Sequence, residues 1–255
     1  MNSEIAILSL TAASLGFMHT LLGPDHYLPF VVLSKARKWS KIKTIWITIL
    51  CGIGHVGSSV IIGFIGIAAG VALSKLEAFE SFRGNIAGWL FIGFGLAYAV
   101  WGLRRALNNK PHTHAHFHLD GKKHVHFHLD GKKHVHEHTH FVDHTHLHTE
   151  ERTESIEKVE YKNLTPWILF VIFIFGPCEP LIPLLMFPAL QHSVLGVVSV
   201  TTVFSLVTIA TMTTIVLLTT TGISFVKLEK LEKYTHALAG SAIFFSGIAI
   251  QFMGL

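Results

Sequence analysis

Gly23-Pro24-Asp25-His26-Tyr27-Leu28-Pro29 interrupts one apolar run of this chain, and Gly176-Pro177-Cys178-Glu179-Pro180-Leu181-Ile182-Pro183 interrupts another. A Gly-Pro pair cannot continue a helix, because proline lacks the amide donor and disfavours the helical region for the residue before it. Breaks of this kind are tolerated at membrane depth only where protein or a water-filled cavity satisfies the freed backbone groups. Asp25 and His26, with His19 seven residues before His26, add ionisable side chains where hydrocarbon is expected. Each costs about 3 kcal/mol or more there, so such groups mark function by default.

Around these breaks the chain reads as an all-α polytopic membrane protein. Of its 255 residues, 50% are hydrophobic and 14% charged, against roughly 25% charged in soluble domains. Six apolar runs, about 5–34, 44–73, 85–106, 164–190, 193–224 and 235–254, are each long enough to cross roughly 30 Å of hydrocarbon as a helix. The first run lacks a preceding basic residue and a small-residue cleavage site, and is expected to be a span rather than a signal peptide.

The runs form two halves. Gly176 follows Gly23 by 153 residues, and Gly240 follows Gly88 by 152, with Ala87-Gly88, Gly95, Ala97 and Gly102-Leu103 echoed in Ala239-Gly240, Gly247, Ala249 and Gly254-Leu255. Three spans per half is an odd number, so the halves run in opposite directions. The expected organisation is therefore two inverted three-helix repeats, 1–106 and 164–255, with broken helices in spans one and four. That is the pattern of secondary transporters, whose site lies near the midplane at the repeat interface.

Basic residues set the orientation. Lys35, Arg37, Lys38, Lys41 and Lys43 follow span one; Arg104, Arg105 and Lys110 follow span three; Lys227, Lys230 and Lys233 follow span five. Between spans two and three, Lys75 and Arg83 are offset by Glu77 and Glu80, and Gln191-His192-Ser193 carries no Lys or Arg. Loops one, three and five are expected in the cytoplasm and both termini outside. The net charge of +4 reflects these loops and gives no reason to expect nucleic acid. The expected partners are the lipid bilayer and an ion; a homo-oligomer is compatible with the sequence.

The loop at 107–163 holds fourteen of nineteen histidines: His112, His114, His116, His118, His124, His126, His128, His134, His136, His138, His140, His144, His146 and His148. A ten-residue unit, His116 to Val125, repeats from His126 to Val135. His-x-His spacing puts histidines on one face of an extended strand, and Asp120-Gly121 and Asp130-Gly131 are turn signals. The segment reads either as a small metal-bearing meander or as a disordered, loosely chelating tract, and composition favours the second.

The candidate metal ligands within the membrane are His19, Asp25, His26, His55, Cys178 and Glu179. On an unbroken helix His19 and His26 would lie about 10.5 Å apart along the axis, too far for one ion. The Gly23-Pro24 hinge is expected to fold them together. His55 shares a helix face with Cys51, and Gly52, Gly54, Gly57, Ser58 and Ser59 allow close helix approach. Alone, His55 also fits an interhelical hydrogen-bonding role, and Cys51 fits a small apolar filler. The threonines Thr201, Thr202, Thr208, Thr211, Thr213 and Thr214 are expected to pack between helices. His192 and His236 are expected near the interface.

His19 ahead of Asp25-His26, Gly54-His55, six spans and a His-rich cytoplasmic loop resemble the nickel/cobalt transporter superfamily, above all its six-span exporter-like and urease-accessory-type membrane members. The resemblance implies movement of a divalent ion such as Ni²⁺ or Co²⁺, with His19, Asp25, His26 and His55 as ligands; the ligand types also accommodate Zn²⁺. Gly176-Pro177-Cys178-Glu179-Pro180 is also similar to the thiol-carrying transmembrane proteins of cytochrome c biogenesis, which implies a related fold and an alternative role as a thiol or electron carrier through Cys51 and Cys178. A third reading makes the loop the active part and the spans its anchor, but an anchor has no use for twin breaks. No hydrolase or transferase constellation is present, so no enzyme activity is expected.

Overall fold

The computed structural model describes residues 2–108, 112–117, 123–128, 164–191, 193–224 and 233–253. They fall into two units, Met1–Leu103 with Asn163–Leu255, and Arg104–Lys162. The first is helical. Its order is α1 (Asn2–Leu22), a 3₁₀ turn (Pro24–His26), α2 (Leu28–Ala36), α3 (Lys41–Ala68), α4 (Leu73–Asn108, which runs into the second unit), α5 (Leu164–Phe175), α6 (Leu181–Leu190), α7 (Val194–Ser224) and α8 (Thr235–Met253).

Both Gly-Pro pairs end helices. Gly23 is extended, at φ −88° and ψ 96°, as a residue before proline should be. Pro29 then sits in the first turn of α2, where a missing amide donor costs nothing. Helix α5 stops at Phe175, and Pro180 caps the start of α6. The Ser40 hydroxyl accepts from the Lys43 amide to start α3. Gly70 ends that helix at φ 66°, a left-handed conformation that glycine adopts without penalty.

Helices α1, α3, α4, α7 and α8 are long and apolar enough to cross a membrane; α5 and α6 are shorter apolar helices. Large apolar side chains such as Ile7, Leu10, Trp46, Phe82, Trp167 and Phe245 face outward at 60% exposure or more. Such a surface suits lipid, and the chain has the build of a multi-pass membrane protein. The interior holds two apolar clusters. One gathers Phe30, Leu33, Cys51, Phe91, Leu169, Phe173, Met212 and Ile243. The other gathers Ala12, Val56, Cys178, Leu181, Leu185, Val200 and Phe204. Helix α3 gives Cys51 to the first and Val56 to the second, so His55 stands at the join. Helix α7 packs along α1 and α3. There Gly16 makes room for the Thr208 hydroxyl while Thr201 bonds back to the Val197 carbonyl, so these threonines serve packing.

The third span starts earlier than its apolar run. Helix α4 begins at Leu73, so Glu77, Glu80 and Arg83 are helical rather than loop residues. Glu80 and Arg83 are buried, which overturns their reading as loop charges that merely cancel.

Helix α4 crosses α8 antiparallel through glycines. A Cβ on Gly95 would collide with the Phe244 backbone, one on Gly240 with the Ala99 backbone, and one on Gly247 would lie 2.7 Å from the Ile92 amide nitrogen. Gly88 meets Gln251 and Gly102 meets Ala237. Small residues at such crossings let backbones approach closely. Gly95→Ala should therefore lower the thermal unfolding midpoint in detergent, by a destabilisation of about 1–3 kcal/mol for a contact that backbone cannot yield. Gly93→Ala, on the same helix with nothing within 4 Å of its added Cβ, should be neutral or stabilising by up to about 1 kcal/mol. Equal behaviour of the two would contradict the crossing.

In the second unit, β1 (His112–Phe117) pairs antiparallel with β2 (Lys123–His128), His112 opposite His128, His114 opposite His126 and His116 opposite His124. Over these residues the chain forms a hairpin, contrary to the expectation of a disordered tract. The period of two in the sequence matches the pairing, in which each histidine stands opposite another histidine in the register. His118, His134, His136, His138, His140, His144, His146 and His148 lie outside the described residues, as does His192.

Candidate metal centre

The centre assembles from the first break and the middle of α3. His19 is in the last turn of α1, His26 closes the 3₁₀ turn, and His55 lies halfway along the 28-residue α3. The break reverses the separation that an unbroken helix would impose: the rings of His19 and His26 are 4.6 Å apart at their centroids and meet edge-on. The His55 ring is 4.9 Å from that of His26 and nearly parallel to that of His19 at 6.1 Å. One ligand nitrogen from each of the three lies within 4.8 Å of the others. His26 and His55 are buried and His19 is half-buried.

Each twin glycine makes space for one imidazole. A Cβ on Gly23 would sit 2.6 Å from His26 Nδ1, and one on Gly176 would sit 2.8 Å from His55 Nδ1. Neither position has room for a side chain.

Hydrogen bonding sets which nitrogens carry protons. His26 Nδ1 lies 3.1 Å from both the Gly23 carbonyl and Asp25 Oδ1. Both are acceptors, so Nδ1 must donate, and Nε2 of the neutral ring carries a lone pair. His55 turns its own Nε2 toward this lone pair. The two Nε2 atoms are 3.2 Å apart. At that distance the neutral His55 ring either donates its Nε2 proton to the His26 lone pair or, in its other tautomer, turns a second lone pair toward a shared cation. Two nitrogens on one tetrahedral ion, each at about 2.0–2.1 Å, would be roughly 3.3 Å apart. The observed spacing fits a ligand pair as well as it fits an N–H···N hydrogen bond.

Asp25 is placed beside the cluster, not in it. Its carboxylate, 19% exposed, holds the far nitrogen of the His26 ring, the position from which a carboxylate orients a ligating histidine. Cys178 Sγ is 4.0 Å from His19 Nε2. Glu179, its neighbour, is exposed and takes no part in the cluster. Cys51 and Cys178 are both free thiols and belong to different apolar clusters. His236 bonds the Tyr98 hydroxyl at 2.8 Å, where Arg37 also stacks over Tyr98 and Trp101.

Beside the cluster lies a buried network that the sequence did not announce. Arg83 forms an ion pair with Glu80, donates to Ser58 Oγ at 2.6 Å and to Ser59 Oγ at 3.2 Å, and reaches the Ile174 and Gly176 carbonyls at 2.5 and 3.4 Å. Glu80 Oε2 accepts from the Ser59 hydroxyl at 2.9 Å and from the Cys178 amide at 3.1 Å. The pair thus serves the orphaned carbonyls and amide of the second break at once. The only sequence signal was a Glu-x-x-Arg pair one turn apart, just ahead of an apolar run.

The arrangement can coordinate a cation through three imidazoles, of which His26 has its outer nitrogen held by the Gly23 carbonyl and Asp25. No family model, no curated protein and no solved structure matches this chain.

Proposed function

We propose that this protein is a secondary transporter for a divalent transition-metal ion such as nickel or cobalt, with zinc also accommodated. The ion binds as substrate among His19, His26 and His55. The observation that carries this reading is the cluster of three imidazoles in an apolar interior, with one ligand nitrogen of each within 4.8 Å of the others and two Nε2 atoms 3.2 Å apart. Three neutral nitrogens suit Ni²⁺, Co²⁺ and Zn²⁺ and are a poor match for Mg²⁺ or Ca²⁺, which prefer oxygen.

In this reading α1 with α2 forms span one, broken about two thirds of the way along, and α5 with α6 forms span four, broken near its centre. The six spans then make two inverted three-helix repeats. Support comes from the antiparallel α4–α8 crossing, in which glycines of the two halves face each other, and from the twin glycines that each seat an imidazole. His55 lies about 20 Å from either end of α3 at 1.5 Å per residue, near the midplane. Loops one, three and five face the cytoplasm, with both termini outside, and the His-rich loop captures ions on the inner side.

Uptake or efflux of Ni²⁺, Co²⁺ and Zn²⁺ by proteoliposomes tests the proposal. Transport that survives His26→Ala and His55→Ala together would overturn it. Deleting 112–148 should change the apparent affinity or the capture of ion at low concentration, while maximal transport persists. Complete loss of transport would mean that the loop is part of the translocation path.

A further inference from the structure

Resting on the proposed metal site, we infer that Cys178 supplies a fourth, thiolate donor, so that the ion is held by three nitrogens from the first break and α3 and one sulfur from the second break. In a tetrahedral site with metal–nitrogen and metal–sulfur bonds of about 2.0–2.1 and 2.3 Å, nitrogen and sulfur are roughly 3.5 Å apart. Cys178 Sγ is 4.0 Å from His19 Nε2 and lies just outside the group that the three histidine nitrogens form, so the second break must bring the thiol inward to close the shell.

The buried Glu80–Arg83 pair gives this thiol its place. Glu80 holds the Cys178 amide, and Arg83 holds Ser58, whose hydroxyl donates at 2.8 Å to the carbonyl of His55. One network therefore ties the backbone of the cysteine to that of a histidine ligand. A buried ion pair is expensive, and apolar residues of similar size are often at least as stable; positioning two donors from different helices is a use that repays it. Glu80 and Arg83 are positioning residues.

Charge agrees. A divalent ion, one thiolate and the Asp25 carboxylate sum to zero, and Glu80 cancels Arg83. With a protonated thiol the same site would keep a net positive charge in the hydrocarbon layer. The thiol proton leaves to solvent as the metal–sulfur bond forms, as thiolate ligation requires.

Co²⁺ added to the full-length protein in detergent reads this directly. The expected result is a near-ultraviolet thiolate-to-cobalt charge-transfer band together with visible bands of tetrahedral cobalt. The His-rich loop cannot produce that charge-transfer band, because Cys51 and Cys178 are the only cysteines in the chain. Cys178→Ser should remove it and keep visible bands, and Cys51→Ser should change neither. Visible bands without charge transfer in the unaltered protein would overturn the fourth donor and leave the histidine site standing. A band lost with Cys51→Ser and kept with Cys178→Ser would overturn it in favour of Cys51. Tetrahedral cobalt absent altogether would overturn both this inference and the metal site. X-ray absorption at one equivalent of Zn²⁺ adds a second readout: a sulfur neighbour at about 2.3 Å supports the assignment, and a shell of nitrogen and oxygen alone in the protein with 112–148 deleted refutes it.

Discussion

His26→Ala is expected to abolish ion movement and to lower metal affinity by at least 100-fold, ~2.7 kcal/mol at about 1.4 kcal/mol per tenfold. Even partners that only orient a metal ligand typically cost about 10–100-fold when removed, and His26 is the central member of this cluster. Its Nε2 faces that of His55, and its ring meets that of His19 edge-on. Loss of function alone would not separate binding from folding, so stability should be followed with and without ion. In the unaltered protein, Ni²⁺ or Co²⁺ at about 100 times its dissociation constant should stabilise by about 2.7 kcal/mol. The variant should lose that increment. Without metal it should lose no more stability than the cavity left by the ring and the lost hydrogen bonds to Gly23, Asp25 and His55 predict. Asp25→Asn is the graded counterpart. The amide oxygen can still accept from His26 Nδ1 but carries no charge, so affinity should fall by about 10–100-fold while transport at saturating ion persists. If Asp25→Asn proves as severe as His26→Ala, the carboxylate ligates the ion directly.

What could be read from the sequence follows a physical division. The Gly-Pro breaks were legible because proline acts locally, through its own ring and missing donor, and α1, α2, α5 and α6 end where those residues require. The meeting of His19 with His26 was legible as a need, since only a hinge at Gly23 removes an axial separation of about 10.5 Å. Partner choice across helices was not. That His55 rather than Glu179 completes the cluster depends on how α3 crosses the first break, and no spacing within one segment encodes a crossing. Asp25 was counted as a ligand because it adjoins His26, yet the 3₁₀ turn directs its carboxylate to the outer nitrogen of that ring. Glu80 and Arg83 were misplaced for the opposite reason. As charges beside glutamate and lysine they look solvated, and only the extension of α4 to Leu73 carries them inside. Strand pairing at 112–128 was half legible: the alternation was visible, but composition argued for disorder.

Arg83→Ala should then be among the most destabilising single changes in the helical unit. It strips the ion partner from Glu80, whose carboxylate stays fully buried, and leaves the Ile174 and Gly176 carbonyls without their donor. Breaking a buried pair from one side costs about 3–5 kcal/mol, most of it the stranded charge. Glu80→Leu should cost a similar amount, because the guanidinium is stranded instead. The double variant Glu80→Leu with Arg83→Leu should cost clearly less than the sum of the two, since no charge is left behind. A coupling of about 3 kcal/mol between neighbours in one network lies at the upper end of what such cycles give. Unfolding midpoints in detergent supply all four corners of the cycle, and strict additivity would contradict the ion pair. Arg83→Lys separates charge from shape. A lysine keeps the positive charge near Glu80 but lacks the planar fork that serves Ser58, Ser59 and two carbonyls at once, so stability should recover only in part. The double leucine variant also isolates the role of the pair in the site. With folding largely restored and the clamp on Cys178 gone, cobalt should still bind the three histidines, and the thiolate charge-transfer band should weaken or vanish. A band of full strength in a folded double variant would mean that the break holds Cys178 in place without the pair.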